Sequence, residues 1–242
     1  QPLSNETGSV WIAYNGEVYN FPQLRKELQA RGHQFKTRTD TETIVHAYEE
    51  WGENFIQRLR GMFAFALWDK DKKTLYLWRD RLGIKPLYYT LQPDGTLLFG
   101  SELKTILVYS QLPRAVNLRA LDLFLTLEYI PAPFSIFENI HKLPPGCFLK
   151  YHEGKIVVNS YWDVAPPGGT SSSLESRSLE ELQEKLYFLL KESVALRLIS
   201  DVPLGAFLSG GIDSSTIVGL MNELGVSPLL TFSIGFEDST YN

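Results

Sequence analysis

One cysteine, Cys147, is the whole thiol content of this 242-residue chain. An intramolecular disulfide framework is thereby excluded, and a cysteine-built metal cluster is argued against. A lone thiol fits a reducing compartment. The four histidines, His33, His46, His141 and His152, show no metal-ligand spacing. No apolar run approaches the roughly 18 residues that cross a bilayer, and no signal-peptide pattern opens the chain. Nor does one sign of charge dominate: 23 basic and 28 acidic residues are interspersed for a net −5, which argues against electrostatic binding of nucleic acid or membrane. No internal repeat is found.

What is present is core material. Hydrophobic residues make up 44% and charged residues 21%, the balance of a globular protein rather than a disordered one. The length exceeds a usual domain of about 100–150 residues, so one large or two smaller domains are expected. The first residue is Gln1, not Met, and Asn242 closely follows an apolar strand pattern. Both ends read as cut, and the expectation is an internal segment of a longer protein.

Val10 to Tyr14 reads as a strand stopped by the turn dipeptide Asn15-Gly16. Asn20 and Pro22 suit the start of a helix that Gly32 ends. Thr39 and Glu42 have capping-box spacing for a second helix with Ile44, Val45, Tyr48 and Trp51 on one face. Met62 to Leu67 alternates aromatic and small residues, the pattern of a strand covered on both faces. Further strands are expected at Thr74–Trp78, Leu87–Leu91 and Thr96–Phe99, and Ser101 as the cap of a short helix to Leu107. This part reads as α+β layering. A Pro/Gly/Ser tract makes 165–177 a linker. Beyond it, Ser178 and Glu181 open a helix with Leu182, Leu186, Leu189 and Leu190 inward. Strand 204–208, a glycine loop, a helix through Ile217, Leu220, Met221 and Leu224, and strand 229–234 then begin a parallel α/β unit.

The sharpest feature is the loop Ser209-Gly210-Gly211-Ile212-Asp213-Ser214-Ser215 between a strand and a helix. Glycines let a ligand approach the backbone, and the N–H groups opening the helix offer an anion site. It is neither a Walker A loop nor the dinucleotide-binding glycine fingerprint. Asp213 would repel a phosphate unless a cation lay between them, which points to Mg²⁺. The plainer alternative is a strand–helix turn with Asp213 as N-cap.

The string Ser-Gly-Gly-Xaa-Asp-Ser resembles the pyrophosphate loop of ATP pyrophosphatases. With Asp201-Val202-Pro203-Leu204-Gly205 it resembles the glutamine-hydrolysing asparagine synthetase family. Residues 15–20 (Asn-Gly-Glu-Val-Tyr-Asn), 39–42 (Thr-Asp-Thr-Glu), 61–66 (Gly-Met-Phe-Ala-Phe-Ala) and 79–83 (Arg-Asp-Arg-Leu-Gly) resemble that family's glutaminase domain. The resemblance spans nearly the whole chain. It implies a four-layer αββα sandwich of the N-terminal nucleophile hydrolase type over residues 1–164. Residues 178–242 would then start a Rossmann-like ATP pyrophosphatase domain.

The resemblance also implies roles. Asn15 and Gly16 match oxyanion-hole donors, and Glu17 and Asp40 the glutamine-binding carboxylates, Asp40 pairing with the α-ammonium. Residue by residue the plainer alternatives are a turn for Asn15-Gly16 and a helix cap for Asp40. Phe207, Leu208, Ser209, Gly210, Gly211, Asp213, Ser214 and Ile234 match ATP-binding positions, with Asp213 a candidate Mg²⁺ ligand. The Arg79–Lys85 stretch could pass for a phosphate site, but in the family it is mainly scaffold. The family's N-terminal cysteine nucleophile has no counterpart here, and Cys147 reads as a small, partly buried structural residue. The segment alone is therefore expected to be inactive.

For the parent enzyme the implied reaction joins aspartate, ATP and glutamine into asparagine, AMP, pyrophosphate and glutamate in the cytoplasm, and a homodimer is compatible with it. The alternatives are an amidotransferase for another carboxylate, a β-lactam-forming cyclase and a non-catalytic nucleotide-binding remnant.

Overall fold

The computed structural model describes residues 1–164 and 177–236. Contacts divide the chain into two compact units, Gln1–Val164 and Ala165–Asn242. Most of the expected linker lies outside the described residues.

The first unit is built on strands whose side chains alternate between two cores. The elements are β1 (Leu3–Ser4), β2 (Val10–Val18), α1 (Phe21–Ala30), α2 (Asp40–Trp51), a 3-10 segment (Gly52–Arg58), β3 (Gly61–Asp69) and β4 (Thr74–Arg79). They continue with β5 (Tyr88–Leu91), β6 (Leu97–Gly100), α3 (Leu103–Leu107), α4 (Leu118–Leu127), β7 (His141–Lys142), β8 (Cys147–His152) and β9 (Lys155–Ser160). A six-stranded antiparallel sheet has the order β1-β2-β3-β4-β8-β9, and a three-stranded sheet the order β6-β5-β7.

Phe63, Phe65 and Leu67 of β3 and Tyr76 and Trp78 of β4 point into a core with Leu24, Leu28, Ile44, Val45 and Tyr48 of the two long helices. The intervening Ala64, Ala66 and Leu77 face the second sheet, meeting Leu87, Tyr89 and Leu143. Small residues on that face let the sheets close on each other. Tyr88 and Leu98, on the far side of the second sheet, pack against Leu103, Ile106 and Leu107 of α3. Helix, sheet, sheet, helix is therefore the layer order, with a thin fourth layer. Trp78 anchors the first core, stacking on Phe148 at 4.2 Å and meeting Phe55 edge-on at 5.4 Å.

Several local readings are corrected. Asn20 does not cap α1 with its side chain but bonds the Arg58 carbonyl and the Arg60 N–H. Ser101 caps nothing, since the N-cap of α3 is Glu102 without a side-chain bond. Only half of the Thr39/Glu42 capping box forms. Thr39 accepts from the Glu42 N–H, but the Glu42 carboxylate is taken by the backbone of Lys36 and Thr37 and by the Thr37 hydroxyl. These contacts hold the Glu42 carboxyl below the ordinary carboxylate range despite its burial.

The Arg79-Asp80 pair ties the unit together. The Asp80 carboxylate, in a residue only 1% exposed, accepts from the backbone N–H groups of Phe63, Leu82, Ile84 and Lys85 at 3.0–3.2 Å. Arg79 donates to the carbonyls of Gly83, Lys85 and Leu143. A guanidinium wholly occupied with carbonyls is scaffold, as the resemblance implied. Asp80→Ala strands four N–H groups and should lower stability by about 3 kcal/mol or more in urea unfolding. A loss within about 1 kcal/mol would show that the 81–85 loop is held by other contacts.

In the second unit, α5 (Leu179–Arg197) starts with the full Ser178/Glu181 capping box. β10 (Gly205–Phe207) and β11 (Leu230–Phe232) pair in parallel on either side of α6 (Ile212–Glu223), the expected α/β unit. Its core joins Val194, Leu220 and Met221, with Leu190 and Leu224 against them. Leu186 and Leu189, expected inward, are instead 58% and 49% exposed, because the described core covers only the later turns of α5. No helix among the described residues is long and apolar enough to cross a membrane.

Candidate functional site

Asn15-Gly16 is not a turn. β2 runs unbroken through it, pairing Asn15 with Ala64, Gly16 with Phe63 and Glu17 with Met62. The glycine answers a packing need: a Cβ on Gly16 would stand 2.3 Å from the Met62 carbonyl oxygen, and one on Gly61 2.1 Å from that of Glu17. The two strands meet here backbone to backbone. β1 pairs only with Trp11 and Ile12; beyond them no strand among the described residues flanks this side of β2, where the Gln1 side-chain carbonyl accepts from the Tyr14 N–H at 2.6 Å.

Phe63 directs both its N–H and its carbonyl to Asp80, which makes Gly16–Phe63 a non-hydrogen-bonded pair of the β2–β3 ladder. The Gly16 N–H consequently points to the open edge. Asn15 and Glu17 share the opposite sheet face from Tyr14 and are both exposed. Asn15 Nδ2 lies 3.3 Å from Ser101 Oγ, so the residue expected to cap a helix stands beside the site instead.

Asp40, first residue of α2, is drawn to the same edge. One oxygen accepts from the Tyr14 hydroxyl at 2.6 Å and from the Val18 N–H at 2.9 Å. Burial first, and the Asp40 carboxylate second, push the Tyr14 phenol far above its ordinary range, so it remains a donor at any working pH. Thr39, not Asp40, supplies the N-cap. Asp40 is thus tied to the strand that carries the other three residues expected to meet glutamine, Gly16 at the same edge and Asn15 and Glu17 on the sheet face opposite Tyr14. Tyr14 was not singled out from the sequence, which marks it only as the end of a strand.

Cys147 begins β8, half-buried against the inter-sheet core, and burial pushes its thiol up. A protonated, packed thiol suits a structural role.

In the second unit the glycine loop follows β10 as expected. Gly210 has φ +83°, which favours glycine, whereas Gly211 is extended and forms the N-cap of α6. Asp213 is therefore not the cap; it lies one residue inside the first turn, exposed. The Ser214 hydroxyl holds the loop, meeting Ser209 N–H at 3.3 Å, Ser209 Oγ at 3.2 Å and the Gly211 carbonyl at 3.2 Å. Leu208 N–H bonds the Phe232 carbonyl, while Phe207 and Ile234 expose 74% of their surfaces each. Among the described residues, Asp213 belongs to no group of three metal-ligating side chains.

Comparison with known proteins matches residues 1–162 to the glutamine amidotransferase domain and residues 185–242 to asparagine synthase. Glutamine-hydrolysing asparagine synthetase 1 of Bacillus subtilis is 39% identical over 244 residues, covering the whole chain but 37% of that protein. Asparagine synthetase 3 of the same organism is 39% identical over 94% of the chain and 37% of its own length. The chain thus spans little more than a third of these curated relatives. A solved glutamine phosphoribosylpyrophosphate amidotransferase from B. subtilis is 17% identical, covering the whole chain and half of its own, at a TM-score of 0.47.

The backbone contact at Gly61 can be tested separately from the site residues. Gly61→Ala should destabilise the chain by about 1–3 kcal/mol, because a methyl group must push a pair of hydrogen-bonded strands away from each other. Denaturant titration of both proteins checks it; an unchanged midpoint would mean that β2 and β3 separate without penalty.

Proposed function

This chain belongs to the glutamine amidotransferase family, and on that premise we propose that residues 1–164 form a glutaminase domain, with residues 178–242 opening an ATP-using synthetase domain. The whole enzyme, on this reading, makes asparagine. Aspartate's side-chain carboxylate is adenylated by ATP with release of pyrophosphate. Ammonia freed from glutamine then displaces AMP, leaving asparagine and glutamate.

The observation that carries the reading is the convergence of Asp40 with the open edge of β2. Asn15 Nδ2 and the outward Gly16 N–H are the donors for the tetrahedral oxygen. Asp40, aimed by Tyr14 and Val18, pairs with the α-ammonium of glutamine, and Glu17 adds a second exposed carboxylate.

In the second unit the exposed N–H groups at the start of α6, with Ser209 and Ser214, bind the pyrophosphate portion of ATP. Phe207, Leu208 and Ile234 flank the nucleotide. Mg²⁺ characteristically binds through one or two protein carboxylates plus phosphate oxygens and water, and a solitary exposed Asp213 fits that donor set. The ion would supply charge neutralisation of the leaving pyrophosphate. The proposal places the reaction in the cytoplasm and is compatible with a homodimer.

Two substitutions in the full-length enzyme separate the halves. Asp40→Asn should weaken glutamine use by about 2–4 kcal/mol, a roughly 30- to 1,000-fold fall in kcat/KM, while synthesis from added ammonia persists. Equal loss of both activities would make Asp40 a structural tie only. Asp213→Ala should abolish aspartate-dependent pyrophosphate release but spare glutamate release. Adenylation of aspartate at the parent rate by a folded Asp213→Ala protein would leave the loop a simple turn.

A further inference from the structure

The later turns of α2 carry a cluster of titratable side chains that includes none of the residues assigned to glutamine or ATP. We propose that His33, His46 and Glu49 form a binding site for a divalent transition-metal ion, zinc being the best match to their donor atoms.

His46 and Glu49 stand three residues apart and so share one face of α2. His33 is brought over them by the reversal after α1, where Gly32 has φ +101°. One ligand atom from each of the three residues lies within 4.8 Å of the other two. His46 Nδ1 is 2.8 Å, and His33 Nδ1 4.0 Å, from the same oxygen, Glu49 Oε2. Tetrahedral ligands held at about 2.0–2.1 Å from zinc stand roughly 3.3 Å apart, between those two separations.

The outer contacts are those a ligated set requires. His33 Nε2 lies 3.2 Å from Glu50 Oε2, and Glu50 is held by Arg31 at 2.7 Å. The other oxygen of Glu49 accepts from Asn5 Nδ2 at 2.6 Å. Such second partners fix the tautomer and orientation of metal-binding side chains.

His46 supplies an independent sign. It is 1% exposed, and its Nε2 is buried without a hydrogen-bond partner, 3.9 Å from both Glu6 Oε1 and Glu42 Oε1. A neutral ring donating Nδ1–H to Glu49 would aim a bare Nε2 lone pair at two carboxylates, an unfavourable contact. A cation on Nδ1 selects the other neutral tautomer, whose single N–H sits on Nε2, and that N–H makes both carboxylates attractive neighbours. Glu6, Glu42, Glu49 and Glu50 outweigh Arg31 around the two rings, a field that favours a cation. Two histidines and one carboxylate leave a fourth position open for water or another ligand.

The test uses the purified chain, stripped by chelator and titrated at neutral pH with Zn²⁺ and, separately, Co²⁺. One equivalent of zinc should bind in competition with a chromophoric chelator and raise the melting temperature. Cobalt should give the intense visible absorption of a tetrahedral site. His33→Ala and Glu49→Gln should each keep the circular dichroism of the parent and weaken zinc binding at least about tenfold. His141→Ala, outside the cluster, should bind as the parent does. No uptake by the parent at about 100 µM free Zn²⁺, or unchanged affinity in both folded cluster variants, would overturn the proposal. Either result would leave His46 held as an imidazolium among its carboxylates.

Discussion

The buried carboxylate of Asp80 is the fixed point of the first unit. Four backbone N–H groups converge on it, three from the loop that follows β4 and one from Phe63 in the middle of the sheet. Its own carbonyl accepts from Gly146, which anchors the approach to β8, while Arg79 gathers the carbonyls on the other side. Phe63 thereby turns its hydrogen-bonding groups away from β2. The edge orientation of the Gly16 N–H follows from that commitment, so the candidate oxyanion donor depends on a residue one strand away. A buried anion with complete backbone coordination is costly to disturb and therefore a dependable reference for geometry.

The candidate glutamine site is correspondingly short of moving elements. Asn15, Gly16 and Glu17 lie on a continuous strand, and Asp40 begins a helix that buries eight consecutive residues, Thr41 through Tyr48. Strand and helix are joined by the Tyr14 hydroxyl and the Val18 N–H acting on one carboxylate oxygen. Among the described residues, the second Asp40 oxygen is engaged only by a weak 3.4 Å contact with Thr41. A carboxylate held by one oxygen and presenting the other suits recognition of a charged ligand group.

Much of this was legible in the chain itself. The aromatic–small alternation of β3 reported a strand between two covered faces, and the two faces proved to differ as the residues do. Two identical capping-box spacings had different fates. Ser178 and Glu181 bond reciprocally, whereas the Glu42 carboxylate meets better donors in the loop before it. Asn15-Gly16 has the composition of a turn, and only the neighbouring strand reveals that its glycine serves close approach. α4 passed unrecognised although its sequence is amphipathic; in the structure only Ala120 among its residues is fully buried. The histidine cluster was equally hidden, since His33 and His46 are separated by a chain reversal that no ligand spacing announces.

The bare contact between β2 and β3 also acts as a reading frame. Side chains on a strand repeat every two residues, so a one-residue slip exchanges the two faces of β2. Here the slip would carry Asn15 or Glu17 into the place Gly16 occupies, against a carbonyl oxygen that already excludes a single methyl carbon. The misaligned sheet is thus blocked sterically before any hydrophobic preference is consulted. The same missing side chain that brings the strands together ensures that Asn15 and Glu17 can emerge only on the open face.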